Sequence, residues 1–350
     1  MTDLSAPQLQ LLDVIRAVPD SCRQRKTGRG LGLVARDVGF YALTIVGLAL
    51  TDTWYLLIPL WLLAGLAVSG MFVLGHDAAH NVLVDDDDLN RTIGRLLFVP
   101  ALHIHESWVL GHNRIHHGHT LKQGMDFVWH PVTPEEFRQL SSTQKLVHRL
   151  EWSAFGAGVY YLHRVWWNKM VTLDPPAKWA DRIRSDRSFL DVALALIVGG
   201  LTVASFLTTD GVVAGLLGAA WLTFKLLVVP FLLFSWVIGW TVYVHHIDPD
   251  MHWLKRSEWT KVGGQLDGTT VLRMPPGANL VFHWIFVHMP HHVDMRIPCY
   301  ELEAAADAII AAYPDRVVER RFRWRDYLAA TRGCKVYDFD AGSWMPYPTR

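Results

Sequence analysis

The amino-acid sequence predicts an all-α integral membrane protein, with four transmembrane helices paired as two hairpins and a cytoplasmic helical cap that carries a two-metal site. Three observations lead there. Hydrophobic residues make up 51% of the 350-residue chain and charged residues 19%, a balance unusual for a soluble domain. The apolar residues lie in blocks: no Lys or Arg falls between Asp37 and Asn90, and only Lys225 between Ser188 and Leu254. Histidines cluster as HDAAH (76–80), GHNRIHHGHT (111–120) and HMPHH (288–292). Lys plus Arg and Asp plus Glu number 33 each, so no net charge directs the chain to nucleic acid.

The cytoplasmic N-terminal tail, 1–36, lacks the basic-then-apolar pattern of a cleaved signal, so the first membrane segment is expected to stay in place. The tail reads as a short amphipathic helix, LLDVIRAV, and a flexible basic tether, RQRKTGRGLG. No strand pattern precedes those glycines, which argues against a phosphate loop. The membrane domain is placed at 37–298. Because a span takes about 20 residues, each apolar block divides into two helices. They fall near 38–51 and 54–80, turned at Thr51-Asp52-Thr53, and near 189–207 and 212–244, turned at Thr208-Thr209-Asp210-Gly211. Both turns lack Lys and Arg, whereas the tail, the stretch 91–187 and the chain after 244, which ends in the cytoplasmic C-terminal region 299–350, hold nearly all of them. The positive-inside rule therefore puts those three regions, and all three histidine clusters, on the cytoplasmic side. A bacterial cell membrane is the expected location. Asp85 to Asp88 read as a solvated loop, and the aromatic stretch 151–170 as a helix lying in the interface. Lys225, in mid-span, leaves two readings open: a group facing a substrate cavity, or a snorkelling side chain. Cys22, Cys299 and Cys334 form no CxxC pair and fit a reducing compartment.

Residues four apart share a helix face. His76 with His80, His112 with His116 (His117 adjacent), and His288 with His292 (His291 adjacent) can each aim two or three imidazoles at one point. Eight unmetallated rings at a bilayer edge would lack partners at a cost, so a metal site is expected. Eight or more donors exceed the needs of one ion, which implies two. A thiolate-free imidazole set suits iron, copper or zinc on ligand type alone. His103, His105, His130, His148, His163, His252 and His283 are taken as structural.

With these boxes the chain resembles the membrane fatty acid desaturase and hydroxylase superfamily, whose pattern is HX(3–4)H, HX(2–3)HH and HX(2–3)HH. The flanks look closest to the acyl-lipid omega-6/delta-12 desaturase branch. GHDAAH runs on through LNRTIGRLLFVPAL to SWVLGHNRIHH, and HHVDMRIPCYELEAA and CKVYD follow later. The resemblance implies a ninth ligand after the fourth span, where TVYVHHIDP supplies His246, with His245 standing where that branch often has Gln. It thus implies His76, His80, His112, His116, His117, His246, His288, His291 and His292 as ligands of two Fe ions, with O2 as co-substrate. One departure is that the second box is HX3HH where most of the branch has HX2HH. That spacing is tolerated among the superfamily's hydroxylases. Which of His116, His117 and His119 bind stays open, as does desaturation against hydroxylation.

Oxidation of an unactivated methylene needs a site that holds the metals and excludes water. Asp77, Asn113, Asp248 and Asp294 lie near the boxes and are expected to orient imidazole N–H groups, with His245 beside His246. Trp236, Trp240 and Tyr243 share a helix face; interfacial packing is the favoured reading, and as the alternative they are candidate tunnel residues. No flavin, haem or nicotinamide motif is present, so electrons must arrive from a ferredoxin or cytochrome b5-type partner. The expected substrate is an acyl chain on a lipid or as a thioester, and the expected product a cis double bond. A hydroxylase or carotenoid ketolase using the same site, or a non-redox membrane zinc protein, are the alternatives. A metal transporter ranks last, since Lys225 alone is a poor cation path.

Overall fold

The computed structural model describes residues 9–348. Four helices are long and apolar enough to cross a bilayer: Thr27–Ala49, Trp54–Ala79, Ala177–Thr208 and Val212–His246. They form two hairpins, with the second helix packed centrally between the first and the fourth. Among the described residues the all-α architecture carries only two small sheets: Thr270–Arg273 parallel to Val318–Arg321, and a hairpin of Val336–Asp338 with Ser343–Met345.

Helix boundaries differ from the sequence reading in two places, for the same reason. The first helix begins at Thr27, so the basic glycine-rich segment from there on is helical rather than a tether. One of its glycines serves close contact: a Cβ on Gly30 would lie 2.2 Å from the Leu83 carbonyl oxygen. The third helix begins at Ala177 instead of 189, because a polar stretch buries Ile183 and Asp186 against the cap before the apolar run starts. Hydropathy marks where lipid begins, not where a helix does.

Two further expectations are corrected. Asp85 to Asp88 do not form a free loop: the Asp86 carboxylate accepts from the Leu89 N–H at 2.6 Å and caps helix Asp87–Leu97. The stretch 151–170 is broken between Ser142–Glu151 and a helix that starts at Ala157–Tyr160 and continues as the π-helix Tyr161–Val171. That second piece packs on the fourth span, where a Cβ on Gly239 would meet the Ala157 carbonyl at 2.2 Å. Lys225 is resolved in favour of snorkelling. Its ammonium reaches the first hairpin's turn, donating to Asp52 at 2.8 Å and to the Thr51 carbonyl at 3.1 Å.

The terminal regions do not stand apart from the membrane helices. Val14, Val18 and Cys22 share one core with Leu74 and Ala78 of the second span and with Leu302, Ala305 and Ile309 of helix Leu302–Ala312. That core holds the third histidine box against the end of the second span.

Candidate metal centre

The second span ends at its first-box pair, with His76 in the last turn and His80 as C-cap. The second box lies in a π-helix, Val109–His116, which passes into a short helical turn at His117. His246 is the last residue of the fourth span. The third box is the helix Met289–Val293, with His288 as its N-cap. Four chain segments far apart in sequence thus deliver their imidazoles to one place.

The rings sort into two groups. His76, His80, His112, His117 and His291 place one nitrogen each within 4.8 Å of one another; His116, His246, His288 and His292 do the same. All nine predicted residues are in these groups, and His119 and His245 are in neither. The groups abut, with the His117 and His292 rings stacked at 4.1 Å. Within them, ring nitrogens face one another at 2.8 Å (His76 and His112), 3.1 Å (His117 and His112) and 3.0 Å (His292 and His288).

The π-helix accounts for the second box's spacing. A π-turn inserts one residue into a helix, and the box is one residue longer than HX2HH. His112 and His117, five apart, join one group, while His116 turns to the other. An α-helical reading of HX3HH misses this, because it pairs His112 with His116.

The donor set fits metal ions. Metal-bound imidazole nitrogens sit about 2.0–2.1 Å from the ion, so neighbouring donors end up roughly 3 Å apart, as here. His80 Nε2, His246 Nε2 and His291 Nε2 are buried with no hydrogen-bond partner among the described residues, and each unmet lone pair costs about 1–3 kcal/mol. The protonation state also suits ligation. Burial first, and neighbouring imidazoles second, hold His112, His117, His288, His291 and His292 well below the usual histidine range. Neutral rings keep a lone pair for a cation.

An outer layer supports some rings, and the sequence analysis missed most of it. His116 Nδ1 lies 3.0 Å from the buried carboxylate of Asp126. Burial would raise that carboxyl, but the His116 ring and the Val128 N–H hold it below the usual range. His292 Nδ1 faces the Gln265 side-chain oxygen at 3.0 Å, and Gln265 donates to the His117 carbonyl at 2.5 Å. His246 Nδ1 faces the Gly268 carbonyl at 3.2 Å. Asp126 and Gln265 belong to no motif, and only their proximity in the fold reveals them.

The predicted orienting residues fare unevenly. Asp77 lies 3.4 Å from His76 Nδ1 and accepts the Cys299 N–H at 2.6 Å. His245 stacks on His288 at 3.9 Å. Three are corrected, since other partners claim them. Asn113 donates to the Ala79 carbonyl at 2.8 Å, and Asp294 pairs with Arg23 and Arg296. Asp248 accepts from the Asp250 N–H at 2.9 Å. His105 lies with Glu106 and Asp186 in a third group of possible donors. Arg91 and Arg95 approach those carboxylates at 3.1–3.7 Å, so charge there is already balanced.

An apolar cavity touches both histidine groups. Phe72, Val73, Tyr161, Ile238 and Val242 line it, and His76, His112, His116 and His246 form its end. Trp236, Trp240 and Tyr243 do not line it, which corrects the tunnel assignment. Trp240 packs on Phe286 and Trp324, and Tyr243 on Trp129 and Tyr327, along other faces of the fourth span.

Comparison with known proteins agrees with this arrangement. The family profile "Fatty acid desaturase" matches residues 52–324. The sn-1 oleoyl-lipid 12-desaturase of Anabaena variabilis is 28% identical over 97% of this chain and 93% of its own length. That of a Picosynechococcus species is 30% identical over 95% and 91%. The chloroplastic omega-6 fatty acid desaturase of Arabidopsis thaliana is 29% identical over 94% and 69%. Histidine groups at an apolar cavity, on four membrane-length helices, are thus found in a chain that belongs to the fatty acid desaturase family, a membrane oxidoreductase of its omega-6/delta-12 branch.

Proposed function

We propose that this chain is an O2-dependent di-iron desaturase that introduces a cis double bond into a lipid- or carrier-linked acyl chain, with position 12 of a lipid-bound oleoyl group the first substrate to test. The observation that carries the reading is the meeting of nine imidazoles, in two groups, at the wall of an apolar cavity. The two groups would each hold one iron, and the pair would supply O2 activation and hydrogen removal.

The chain's own residues do the rest. Phe72, Val73, Ile238 and Val242 give the acyl chain an apolar wall that excludes water and sets its position beside His76 and His246. Asp126, Gln265 and the Gly268 carbonyl hold His116, His292 and His246 in one tautomer and orientation. Removing two hydrogens from adjacent methylenes while reducing O2 to two waters consumes two electrons and two protons. No electron-carrying motif is present, so a ferredoxin or cytochrome b5-type donor docks from outside. The basic residues of the central and terminal regions support a reading in which that docking, and the histidine face, lie on the cytoplasmic side, in a bacterium the inner face of the cell membrane.

A hydroxylase or ketolase on the same site is the second reading, supported by the HX3HH spacing. A single-zinc protein is disfavoured, because nine donors in two groups exceed what one four-coordinate zinc site uses. Expression of the full chain in a host of known lipids, with metal analysis of the purified protein, tests all three. A new double bond and about two irons per chain support the proposal. A new C–O bond selects the second reading, and zinc near one per chain with no oxygen dependence overturns both.

A further inference from the structure

A second, polar cavity of about 470 Å³ lies beside the apolar one. Phe127 lines both. The helical stretch from Tyr160 onward separates them. Tyr161 and Val165, four apart, face the apolar cavity, while Tyr160, Arg164, Asn168 and Lys169 face the polar one. One helix thus offers an apolar side to one space and a hydrogen-bonding side to the next, with a single aromatic ring at the junction.

Two features indicate what the polar space takes. Its carboxylates are already engaged: Asp126 faces His116 Nδ1, and Glu151 is held by Arg164 and His163. Lys169, standing 4.7 Å over the Phe127 ring, has no ion pair among the described residues. A polyphosphate such as coenzyme A, or an acidic carrier protein, needs several unengaged cations; a head without net charge needs few. The flank of the cavity is also greasy. Leu150, Phe155, Val159 and Trp167 are 52%, 81%, 47% and 47% exposed. Apolar side chains beside polar ones at the end of a helical bundle belong at the bilayer surface, the depth at which a lipid's glycerol esters lie.

Resting on the desaturase reading, we propose that this cavity seats the glycerol ester and net-neutral head of a membrane lipid, whose acyl chain passes Phe127 into the apolar cavity. Lys169 donates to an ester or head-group oxygen at that junction.

The test uses the full chain in nanodiscs containing a phosphatidylcholine with a photoactivated diazirine on its head group. After irradiation, digestion and mass spectrometry, adducts are expected within 124–130 and 160–169. Unlabelled phosphatidylcholine should suppress them and long-chain acyl-coenzyme A should not. Lys169→Glu should lower their yield about tenfold, the size of one hydrogen bond to a charged group, with metal content unchanged. Should that variant fail to fold, Asn168→Trp, which fills the cavity, must reduce labelling as well. Adducts confined to other segments, suppression by acyl-coenzyme A, or unchanged labelling in the variants would each overturn the proposal. Labelling is read without turnover. A protein that labels as expected yet makes no double bond therefore retains the lipid seat and loses the desaturase reading.

Discussion

The two histidine groups sit side by side but are built differently. The five-membered group has the extra donor, yet its outer support is thin: the Asp77 carboxylate stands 3.4 Å from His76, and His117 Nδ1, the nitrogen turned away from His112, has no hydrogen-bond partner among the described residues. The four-membered group has fewer donors, and three are pinned from behind, His116 by Asp126, His292 by Gln265 and His246 by the Gly268 carbonyl. One group gains tolerance from number, the other from orientation. The five-membered group should therefore survive losing a ligand and be indifferent to its surroundings, and the four-membered group the reverse.

The largest expected effect tests the first half of that contrast. His246→Ala leaves three donors in its group and should abolish product, with iron falling from about two to about one per chain. His80→Ala leaves four donors in the other group and should retain both irons and measurable turnover. Equal loss of metal in the two variants would remove the distinction.

Next comes the outer layer. Removing a group that orients a metal-bound imidazole typically costs 10–100-fold in metal affinity or activity. Asp126→Asn should fall in that range, by iron titration and by turnover, and Gln265→Leu nearer its lower end. Asp77→Asn, at the longer contact, should cost less than either. Asn113→Ala should leave metal affinity unchanged, since its amide serves the Ala79 carbonyl. If Asp77→Asn proved the worst of these, the five-membered group would be the oriented one.

A pH series probes both groups without their metals. In the unfolded chain the imidazoles take up protons below about pH 6.5. In the folded chain His112, His117 and His291 of one group, and His288 and His292 of the other, resist protonation because they are buried among other imidazoles. Their folded values are depressed, so stability is present above pH 6.5 and lost as pH falls. Metal-stripped protein should lose several degrees of Tm between pH 7.5 and 5.5. Metal-loaded protein should resist over the upper part of that range, where protons do not yet displace the ions. A flat profile in the stripped protein would mean that the rings are not held neutral by burial.

What the sequence made legible follows from range. Boxes with donors three to five residues apart are local, so HDAAH and HMPHH announce a shared face before any fold is known. Apolar blocks free of Lys and Arg announce spans, because the bilayer penalises charge wherever the chain turns next. Asp126 and Gln265 carry no such mark. Each acts on a histidine through space, Asp126 on His116 and Gln265 on His292, and in sequence they are an ordinary acid and an ordinary amide. The π-helix at the second box was equally hidden, since α-helical periodicity pairs His112 with His116 and the fold pairs His112 with His117. The tunnel assignment failed for a related reason: spacing puts Trp236, Trp240 and Tyr243 on one face but does not say which neighbour that face meets.

Among the residues that touch the ligands, the smallest expected effect is that of His245→Gln, at a position between the two ways of building a site. It stacks on His288 at 3.9 Å, borders the apolar cavity and offers no nitrogen to either group. Its support to the four-membered group is therefore contact, not a hydrogen bond. His245→Gln keeps a flat polar side chain of similar volume and should retain both irons, with turnover within about twofold, as substitutions that preserve volume usually cost little. His245→Ala opens a gap behind His288 and should lower Tm and loosen one iron, because an imidazole without its packed neighbour can rotate. If His245→Gln instead removed an iron, His245 would be a tenth donor and the four-membered group would have five. The asymmetry between the groups would then be one of hydrogen bonding alone.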